Sequence, residues 1–338
     1  MSTNPIAEIT VQQLQLLQLL ADGKEHSGQE LAKILGVTRT AIWKQLTKLK
    51  PLGIDLSSRP GRGYSIAGGI DFLSEKTIRD SLSLDCLDFI HSLMILPIVD
   101  STNTVLLNKD PTDRILLCMA ECQTAGKGRR GRTWISPFAK NIYLSLKMSV
   151  DDGIATFEGL SLAVGVAIVN ALSSLGLQNI KVKWPNDILW GGRKLGGVLI
   201  EVVGDPAGRC HLVVGIGLNM QGDNEMLASI HQPWVSLVEI FHSSGVQAQG
   251  RSDVASILIN EIVPLMSHYS KNGFIYYRRQ WEALNAHNQQ QVDIHSELTF
   301  VSGVVTGVTE AGALILRMED GSSRIFHGGE VSLRGAWS

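Results

Sequence analysis

A short basic loop with three glycines is the first feature of this sequence that could do chemistry. It reads Gly126-Lys-Gly-Arg-Arg-Gly-Arg132. Glycines let backbone N–H groups approach a ligand, and guanidinium groups bind phosphoryl oxygens through paired hydrogen bonds. A dinucleotide site with the same G-x-G-x-x-G pattern needs a helix next, but Thr133-Trp-Ile-Ser-Pro137 predicts extended chain, and kinase motifs are absent downstream. We interpret the loop as a cover over phosphate; the alternative is a solvated surface turn.

A lysine beside a tight turn is the second candidate. Lys183-Trp-Pro-Asn-Asp187 ends one strand, Gly191-Gly192 predicts a two-residue hairpin turn, and Val198 to Val202 continues as a strand. Lys194 would then lie on a paired strand near a turn carboxylate, where one ammonium can be aimed at a carboxylate or phosphate. An isolated strand lysine is more often an edge residue that discourages aggregation.

The elements that position these residues begin with three predicted helices. The first ends at Asp22-Gly23. Ser27 and Glu30 predict a capping box for the second, with Leu31, Ile34 and Leu35 on its buried face. After Gly36, Thr38 can cap a third helix that buries Ile42, Leu46 and Leu49. The order of helix, turn and helix is that of a helix-turn-helix, whose later helix reads DNA.

A basic hairpin follows these helices. Ile54 to Ser57 and Gly63 to Ile66 alternate as strands around Arg59-Pro-Gly-Arg62, which predicts a wing. Basic residues outnumber acidic ones six to one between Arg39 and Arg62, and this excess suits phosphate contacts. The alternative is a helical interaction module with a solvated basic face. The predicted DNA-binding residues are Gly28, Thr38, Arg39, Thr40, Trp43, Lys44, Thr47, Arg59 and Arg62.

Composition limits the class of protein. The chain has 338 residues, 44% of them apolar and 18% charged, with a net charge of -2, so two or three globular domains are expected and polyanion binding must be local. The four cysteines form no C-x-x-C pair and no targeting segment is evident, which fits the cytoplasm. The uncharged stretch from Gly159 to Ile180 is interrupted by polar residues and is interpreted as a buried core helix, not a membrane span.

Five motifs in order make the sequence resemble a known family. Asp100-Ser-Thr-Asn103, Gln123-x-x-Gly-x-Gly-Arg-x-Gly131, Lys183-Trp-Pro-Asn-Asp187, Arg193-Lys-Leu-x-Gly197 and Gly215-Ile-Gly-Leu-Asn219 are similar to those of biotin protein ligases. Together with the N-terminal domain, the chain resembles the bifunctional ligases that also repress the biotin operon. The likeness is weakest from about Gly222 to His287.

The resemblance implies a multidomain α/β fold. We expect a winged helix-turn-helix domain over 1–68, a linker over 69–90, a central α+β mixed-sheet ligase domain over 91–287 and an SH3-like β-barrel over 288–338. The C-terminal sequence agrees independently, because short alternating runs from Val301 to Val308, Ala313 to Met318 and Ser323 to Phe326 are divided by glycine-containing turns.

The resemblance also implies a reaction. Biotin's carboxylate attacks the α-phosphate of ATP to give biotinyl-5′-AMP, and a lysine of the biotin carboxyl carrier protein of acetyl-CoA carboxylase then takes the biotinyl group. Lys194, Arg129 and Asp187 are the implied catalytic residues. The implied biotin contacts are Ser101, Thr102, Asn103, Gln123, Gly126, Lys127, Gly128, Arg129 and Lys194.

The nucleotide side follows from the same motifs. Its implied contacts are Arg129, Arg130, Arg132, Trp134, Lys183, Asn186, Asp187, Asn219 and Arg334. Asp187 would also bind Mg²⁺ and could help to deprotonate the acceptor lysine. Lys127 stands where close relatives are expected to have Arg, which keeps the charge but loses bidentate geometry, so we expect weaker retention of the adenylate.

Regulation is the last implication. Biotinyl-5′-AMP acts as corepressor in this family, and its binding is coupled to formation of a homodimer on a biotin operator with two half-sites. Two alternatives remain at this point: a lipoate ligase, which shares the adenylation chemistry, and a ligand-sensing repressor without catalysis. Neither a membrane partner nor a covalent nucleophile is expected.

Overall fold

A computed structural model describes residues 9–151, 153–205, 207–222, 232–295, 300–327 and 332–335. The N-terminal part contains three helices and a hairpin. The helices are α1 (Val11–Leu20), α2 (Gly28–Leu35) and α3 (Arg39–Leu49), and the antiparallel strands are β1 (Leu56–Arg59) and β2 (Gly63–Ile66). The predicted helix-turn-helix and wing are therefore present.

The helix caps largely follow the prediction. Thr38 caps α3 by accepting from the backbone N–H of Ala41, and Gly36 ends α2 in the left-handed conformation with φ 65°. Ser27 accepts from the Glu30 backbone N–H, but the complete reciprocal capping box is formed by Thr10 and Gln13 at α1. The prediction that Ile34 is buried is wrong: it is 56% exposed, because Leu31 and Leu35, four residues apart, carry the face of α2 that packs inward.

The central part is built on a seven-stranded mixed sheet. Its strands are β3 (Ile90–Val99), β4 (Ile115–Gln123), β5 (Ile142–Val150), β6 (Ile180–Lys183), β7 (Asp187–Trp190), β8 (Arg193–Gly204) and β9 (Cys210–Leu218). The order across the sheet is β3-β4-β5-β9-β8-β7-β6. Only β3 and β4 are parallel; the other neighbouring pairs are antiparallel.

Helices cover both faces of this sheet. The short α6 (Thr102–Leu107) packs on one face over Leu116, Cys118 and Val213, while α7 (Leu160–Ser174) lies on the other, in the main core. Two further helices, α8 (Leu237–Ser244) and α9 (Arg251–Asn272), join that core, and α10 (Ile275–Leu284) packs against α7. The core predicted from the uncharged stretch is confirmed: Ile154–Ser174 is long and apolar enough to span a membrane, but most of it is buried inside the protein.

The segment assigned to a linker is more structured than predicted. Residues 75–89 contain α4 (Glu75–Asp80) and α5 (Leu84–Phe89), both in contact with α9. Ile78 and Cys86 are fully buried in the main core. The polar residues of this segment concealed that pattern, because on such short helices one or two apolar side chains supply the whole buried face.

The C-terminal part is an antiparallel sheet. Its strands are β10 (Gln291–His295), β11 (Phe300–Val308), β12 (Leu314–Arg317), β13 (Ser323–Phe326) and β14 (Ser332–Gly335), in the order β13-β12-β11-β10-β14. The predicted strands are confirmed. The predicted closed barrel is not: among the described strands β13 and β14 lie at opposite edges, with no pairing between them. Trp184 ties this sheet to the central domain by donating from its buried indole nitrogen to Gly312 O at 3.0 Å.

Candidate active site

One cavity of about 600 Å³ collects most of the predicted site. It lies on the α6 face of the sheet. Gly215 and Gly217 on β9 and Asn219, just after the strand, line it. Twelve predicted residues also line it: Ser101, Thr102, Asn103, Gln123, Lys127, Gly128, Arg129, Arg132, Trp134, Asn186, Lys194 and Asn219. Residues far apart in the chain thus meet around one cavity.

One wall of the cavity is uncharged and polar. Gln123 Oε1 accepts from the Thr102 backbone N–H at 2.9 Å, while Gln123 Nε2 donates to Ser136 Oγ at 3.0 Å. The Ser145 hydroxyl lies 2.7 Å from that of Thr102 and 2.6 Å from Asn103 Oδ1. Thr102 and Asn103 are each only 3% exposed. A wall of fixed amides and hydroxyls suits a neutral polar ligand group.

Two cations, Lys194 on β8 and Arg129 in the glycine-rich loop, also line the cavity. Lys194 Nζ is 2.7 Å from Asp187 Oδ1 and 5.5 Å from the centre of the Trp134 ring. Arg129 Nη1 donates to Asn186 Oδ1 at 3.4 Å. Burial lowers the pKa of the Arg129 guanidinium and the nearby Asp187 carboxylate opposes that shift, but arginine stays charged at neutral pH. This half of the cavity can therefore bind negative charge.

The hairpin holds Lys194 in place. Gly191 and Gly192 both have positive φ, 55° and 74°, as a two-residue hairpin turn requires. Trp190 pairs with Arg193 beside the turn. Asn219, predicted as a nucleotide contact, donates from Nδ2 to Lys194 O at 3.2 Å and to Val235 O at 3.3 Å. Its side chain therefore supports the backbone of Lys194 and also lines the cavity.

Some predicted residues lie outside the cavity lining. Gly126 is buried at the base of the loop, where a Cβ would be 2.4 Å from Trp134 O. Asp187 reaches the site through Lys194, and Arg130 and Lys183 have other partners. The backbone of Arg334 pairs with Asp293 in the C-terminal sheet, but its side chain lies outside the described residues.

Sequence reasoning missed several residues of the site. Gly215 and Gly217 were quoted in a motif but given no role. A Cβ on Gly215 would be 2.3 Å from Asn103 Oδ1, and one on Gly217 would be 2.4 Å from the Trp134 indole. Glycines inside a strand were the available signal, because they often mark close approach. Leu199 and Trp234 also line the cavity, and Glu201 contacts Asn103 and Lys127.

Asp187, which pairs with Lys194, is the carboxylate nearest the two cavity cations and the candidate metal ligand. No group of three or more His, Cys, Asp or Glu side chains among the described residues is arranged to hold a metal. Mg²⁺ in nucleotide sites is commonly held by one or two carboxylates together with phosphate oxygens and water. Asp187 fits that use.

A basic surface lies on the N-terminal part. On α3, Arg39, Thr40, Trp43, Lys44 and Thr47 are exposed, and Trp43 is 55% exposed. On the wing, Arg59 and Arg62 lie 3.2 and 3.8 Å from the two oxygens of Glu25. Two predicted contacts serve the fold as well: Gly28 is buried against Tyr64 and Arg39, and the Thr38 hydroxyl caps the helix.

Comparisons with known proteins agree with this geometry. Family models match residues 95–219 (Biotin/lipoate A/B protein ligase family), 12–65 (HTH domain) and 297–334 (Biotin protein ligase C terminal domain). The chain is 36% identical over 329 residues to the bifunctional ligase/repressor BirA of Escherichia coli K12, covering 96% of this chain and 97% of that protein. It is 29% identical to the biotin–[acetyl-CoA-carboxylase] ligase of Paracoccus denitrificans, covering 68% and 98%.

A solved structure shows the same fold. The biotin protein ligase of Aquifex aeolicus in complex with biotin and ATP matches with a TM-score of 0.61 and 25% identity, covering 73% of this chain and all of that one. The full-length match to a bifunctional relative covers both the cavity and the winged helix. This chain therefore belongs to the biotin protein ligase family, as one of its bifunctional members that act as ligase and as transcriptional repressor.

Proposed function

We propose that this chain makes biotinyl-5′-AMP from biotin and ATP and transfers the biotinyl group to a lysine of the biotin carboxyl carrier protein of acetyl-CoA carboxylase. The observation that carries the proposal is the division of one cavity into a neutral polar wall at Thr102, Asn103 and Gln123 and a cationic region at Arg129 and Lys194. Gly215 and Gly217 on β9 mark the two regions, and residues two apart on a strand are about 7 Å apart. A small ligand can span that distance.

The first step joins a carboxylate to a phosphate. A carboxylate oxygen of biotin forms a bond to the α-phosphorus of ATP, the bridging P–O bond to the β-phosphate breaks, and pyrophosphate leaves. Negative charge accumulates between the two reactants. The Lys194 ammonium and the Arg129 guanidinium are held where they can contact both groups, and positioned cations of this kind stabilise such a transition state without covalent catalysis.

The remaining nucleotide contacts follow from the motifs. Trp134 stands beside Lys194 with a buried indole nitrogen that has no hydrogen-bond partner among the described atoms, and Asn186 steadies Arg129. We assign Lys127, Gly128, Arg130 and Arg132 to the loop that covers the adenylate, and Lys183, Asn219 and Arg334 to the nucleotide side. Mg²⁺, when bound through Asp187 and the phosphates, would neutralise charge on the leaving pyrophosphate.

The second step releases AMP. The amine of the acceptor lysine attacks the carbonyl carbon of the adenylate, the C–O bond to the phosphate breaks, and the amine loses a proton. Asp187 is the carboxylate nearest the cationic region, paired to Lys194 at 2.7 Å. We assign it the role of accepting that proton.

The decisive experiment is ATP-dependent attachment of biotin to an apo carrier domain. We expect labelling by the wild-type chain and a loss of at least about hundredfold in Lys194→Met, as is typical when a transition-state cation is removed. Pyrophosphate exchange with biotin against lipoate distinguishes the two ligase classes, since a site built for polar ligand groups rejects an analogue that lacks them. Exchange with lipoate alone, or no transfer at all, would overturn the proposal.

For the repressor function, we propose that α3 binds in a major groove of operator DNA. The exposed face of Arg39, Thr40, Trp43, Lys44 and Thr47, with Arg59 and Arg62 on the wing, supports this placement. A single chain presents one reading helix, so a two-half-site operator requires a homodimer. We propose biotinyl-5′-AMP as the corepressor that favours this dimer.

Two measurements, the mass of the oligomer in solution and its affinity for operator DNA, together test the proposed regulation. Adding biotin and ATP should raise the dimer fraction in analytical ultracentrifugation and tighten operator binding in the same concentration range. If neither changes while ligation proceeds, the chain is a ligase without this regulation.

The reaction would take place in the cytoplasm, where the carboxylase and the operator are found. The C-terminal strands would curve toward an SH3-like barrel. The domains would have boundaries near 68, 90 and 287, with α4 and α5 packed on the catalytic core.

A further inference from the structure

Glu201 on β8 contacts two residues that line the cavity, Asn103 and Lys127. Its Oε2 accepts from Asn103 Nδ2 at 2.7 Å, and its Oε1 lies 3.4 Å from Lys127 Nζ. We propose that Glu201 is a positioning residue of the biotin site: it sets the direction of a hydrogen-bond chain through Asn103, Ser145 and Thr102, so that the wall accepts N–H groups from the ligand. This inference rests on the proposed function.

Glu201 fixes the orientation of the Asn103 amide. An ionised carboxylate only accepts hydrogen bonds, so the amide must turn its nitrogen toward Glu201 and its oxygen away. A flipped amide would bring two acceptors together at 2.7 Å. Asn103 packs directly on the strand backbone, where a Cβ on Gly215 would be 2.3 Å from Oδ1. The amide is therefore fixed in one orientation.

The orientation of the Asn103 amide in turn decides where the hydroxyl hydrogens of Ser145 and Thr102 point. Asn103 Oδ1 needs a donor, and Ser145 Oγ lies 2.6 Å from it. The Ser145 hydrogen is used there, so the 2.7 Å contact between Ser145 and Thr102 is filled by the hydrogen of Thr102. The other approach of the Thr102 hydroxyl, to Gln123 Oε1 at 3.2 Å, is longer and competes poorly.

A ligand meets the hydrogen-bonding capacity that Thr102 and Gln123 have left. Thr102 Oγ1 keeps lone pairs but has no hydrogen left. Gln123 donates one Nε2 hydrogen to Ser136 Oγ, and its Oε1 accepts from the Thr102 backbone N–H, so its open capacity is the second lone pair of Oε1 and the second Nε2 hydrogen. Both groups present acceptors. The cyclic urea of biotin carries two N–H donors, which match this polarity.

Glu201 also connects the wall to the glycine-rich loop. Lys127 is 42% exposed and Glu201 27% exposed in their ion pair, so this contact contributes little and is screened by salt. Its effect is to tie the loop to β8 through Glu201, the same residue that holds Asn103 of the polar wall. Loss of the tie and loss of the Asn103 bond can be separated by two substitutions.

The experiment compares Glu201→Leu, which removes both contacts, with Glu201→Gln, which keeps an acceptor oxygen for Asn103. An unpaired buried donor typically costs a factor of about 5 to 150 in equilibrium terms. We therefore expect the KM for biotin in pyrophosphate exchange to rise about tenfold or more in Glu201→Leu and less in Glu201→Gln. The KM for ATP should stay within about twofold in both.

A biotin analogue with one ring N–H methylated gives a readout that a general packing defect would not. The wild-type chain should discriminate against it, and Glu201→Leu should discriminate several-fold less. Glu75→Leu, at an exposed ion pair on α4, is the matched control. Thermal unfolding monitors the fold, and Glu201→Gln supplies the test if the leucine variant does not fold.

The two hypotheses fail differently. If the wild-type chain does not catalyse exchange with biotin, the proposed function is wrong. If the wild type is active but both Glu201 variants match Glu75→Leu in biotin KM, or raise the KM for ATP equally, only the role of Glu201 is wrong.

Discussion

Arg251 Nη1 and Glu121 Oε2 form an ion pair of 2.6 Å, with side chains 0% and 4% exposed. The same guanidinium donates to Asp71 O and Asn141 O, and Glu121 Oε1 accepts from the Leu73 backbone N–H at 2.8 Å. One buried cluster thus joins the segment after the winged helix to strand β4 and helix α9. Gln123, two residues along β4, lines the cavity.

Removing one partner of this buried pair should be strongly destabilising. Arg251→Met leaves the Glu121 carboxylate buried without its cation, and we expect a loss of about 3–5 kcal/mol in the free energy of unfolding. Urea denaturation measures this loss. Arg79→Met, which breaks the exposed Arg79–Glu75 pair, should cost less than about 1 kcal/mol. Equal losses in the two variants would contradict the prediction.

Asp187→Asn should slow biotin transfer more than adenylate formation. Asparagine keeps the shape of the side chain but cannot accept the proton, and general-base catalysis contributes roughly 10²- to 10⁴-fold. Single-turnover transfer from preformed biotinyl-5′-AMP to a carrier domain isolates the second step from the first. An unchanged transfer rate would remove Asp187 from this role.

Lys127→Arg should retain the adenylate longer. A guanidinium can bind phosphate through two hydrogen bonds, whereas the Lys127 ammonium acts as a point charge. We expect biotinyl-5′-AMP to dissociate several-fold more slowly from the variant in a chase experiment with unlabelled ligand. The ion pair with Glu201 is kept because arginine preserves the charge, and a dissociation rate equal to that of wild type would refute the prediction.

Lys44→Ala should weaken operator binding through the phosphates. Each phosphate contact contributes about 0.9 to the slope of log K against log salt concentration, so the slope should fall by about that amount while sequence preference is retained. Lys33→Ala provides the control, since Lys33 is exposed on α2 outside the proposed reading face. If the salt-dependence slope fell equally in both variants, the proposal that DNA binds at the exposed face of α3 would be wrong.

Stability should fall in mild acid partly through His287. Burial lowers the pKa of His287 below its ordinary value of 6.5, with Lys183 acting in the same direction and a hydrogen bond to Gln290 opposing. The unfolded chain therefore binds the proton more readily, so this contribution is complete above pH 6.5 and decreases as the pH falls toward the folded pKa.

His287→Gln should accordingly lose less stability than wild type between about pH 7 and about pH 5. Urea midpoints across that range give the comparison, and His91→Gln, at an exposed position, should follow wild type. If the urea midpoint of His287→Gln falls with decreasing pH as steeply as that of wild type, other groups account for the acid sensitivity.

The sequence predicted the elements best where a local rule decides. The glycine pair at 191–192 predicted the hairpin, Thr38 predicted the start of α3, and alternating residues predicted the C-terminal strands. The buried face of α4 could not be read in the same way, since Ile78 is buried by packing against distant α9 and not by any pattern of its own. Ile34 illustrates the reverse, because an apolar residue on an amphipathic helix need not face the core.

The sequence alone determined the chemical inventory: a basic glycine-rich loop, a strand lysine near a carboxylate, and a polar DSTN motif. These depend on residue type and short spacing, which the chain carries locally. Only the tertiary structure decided that Glu201 lies behind Asn103, that Gly215 and Gly217 make room for Asn103 and Trp134, and that Arg251 meets Glu121 across 130 positions. Such contacts depend on the register and stacking of strands and helices, and a pattern along the chain does not encode which distant side chains come within hydrogen-bond distance.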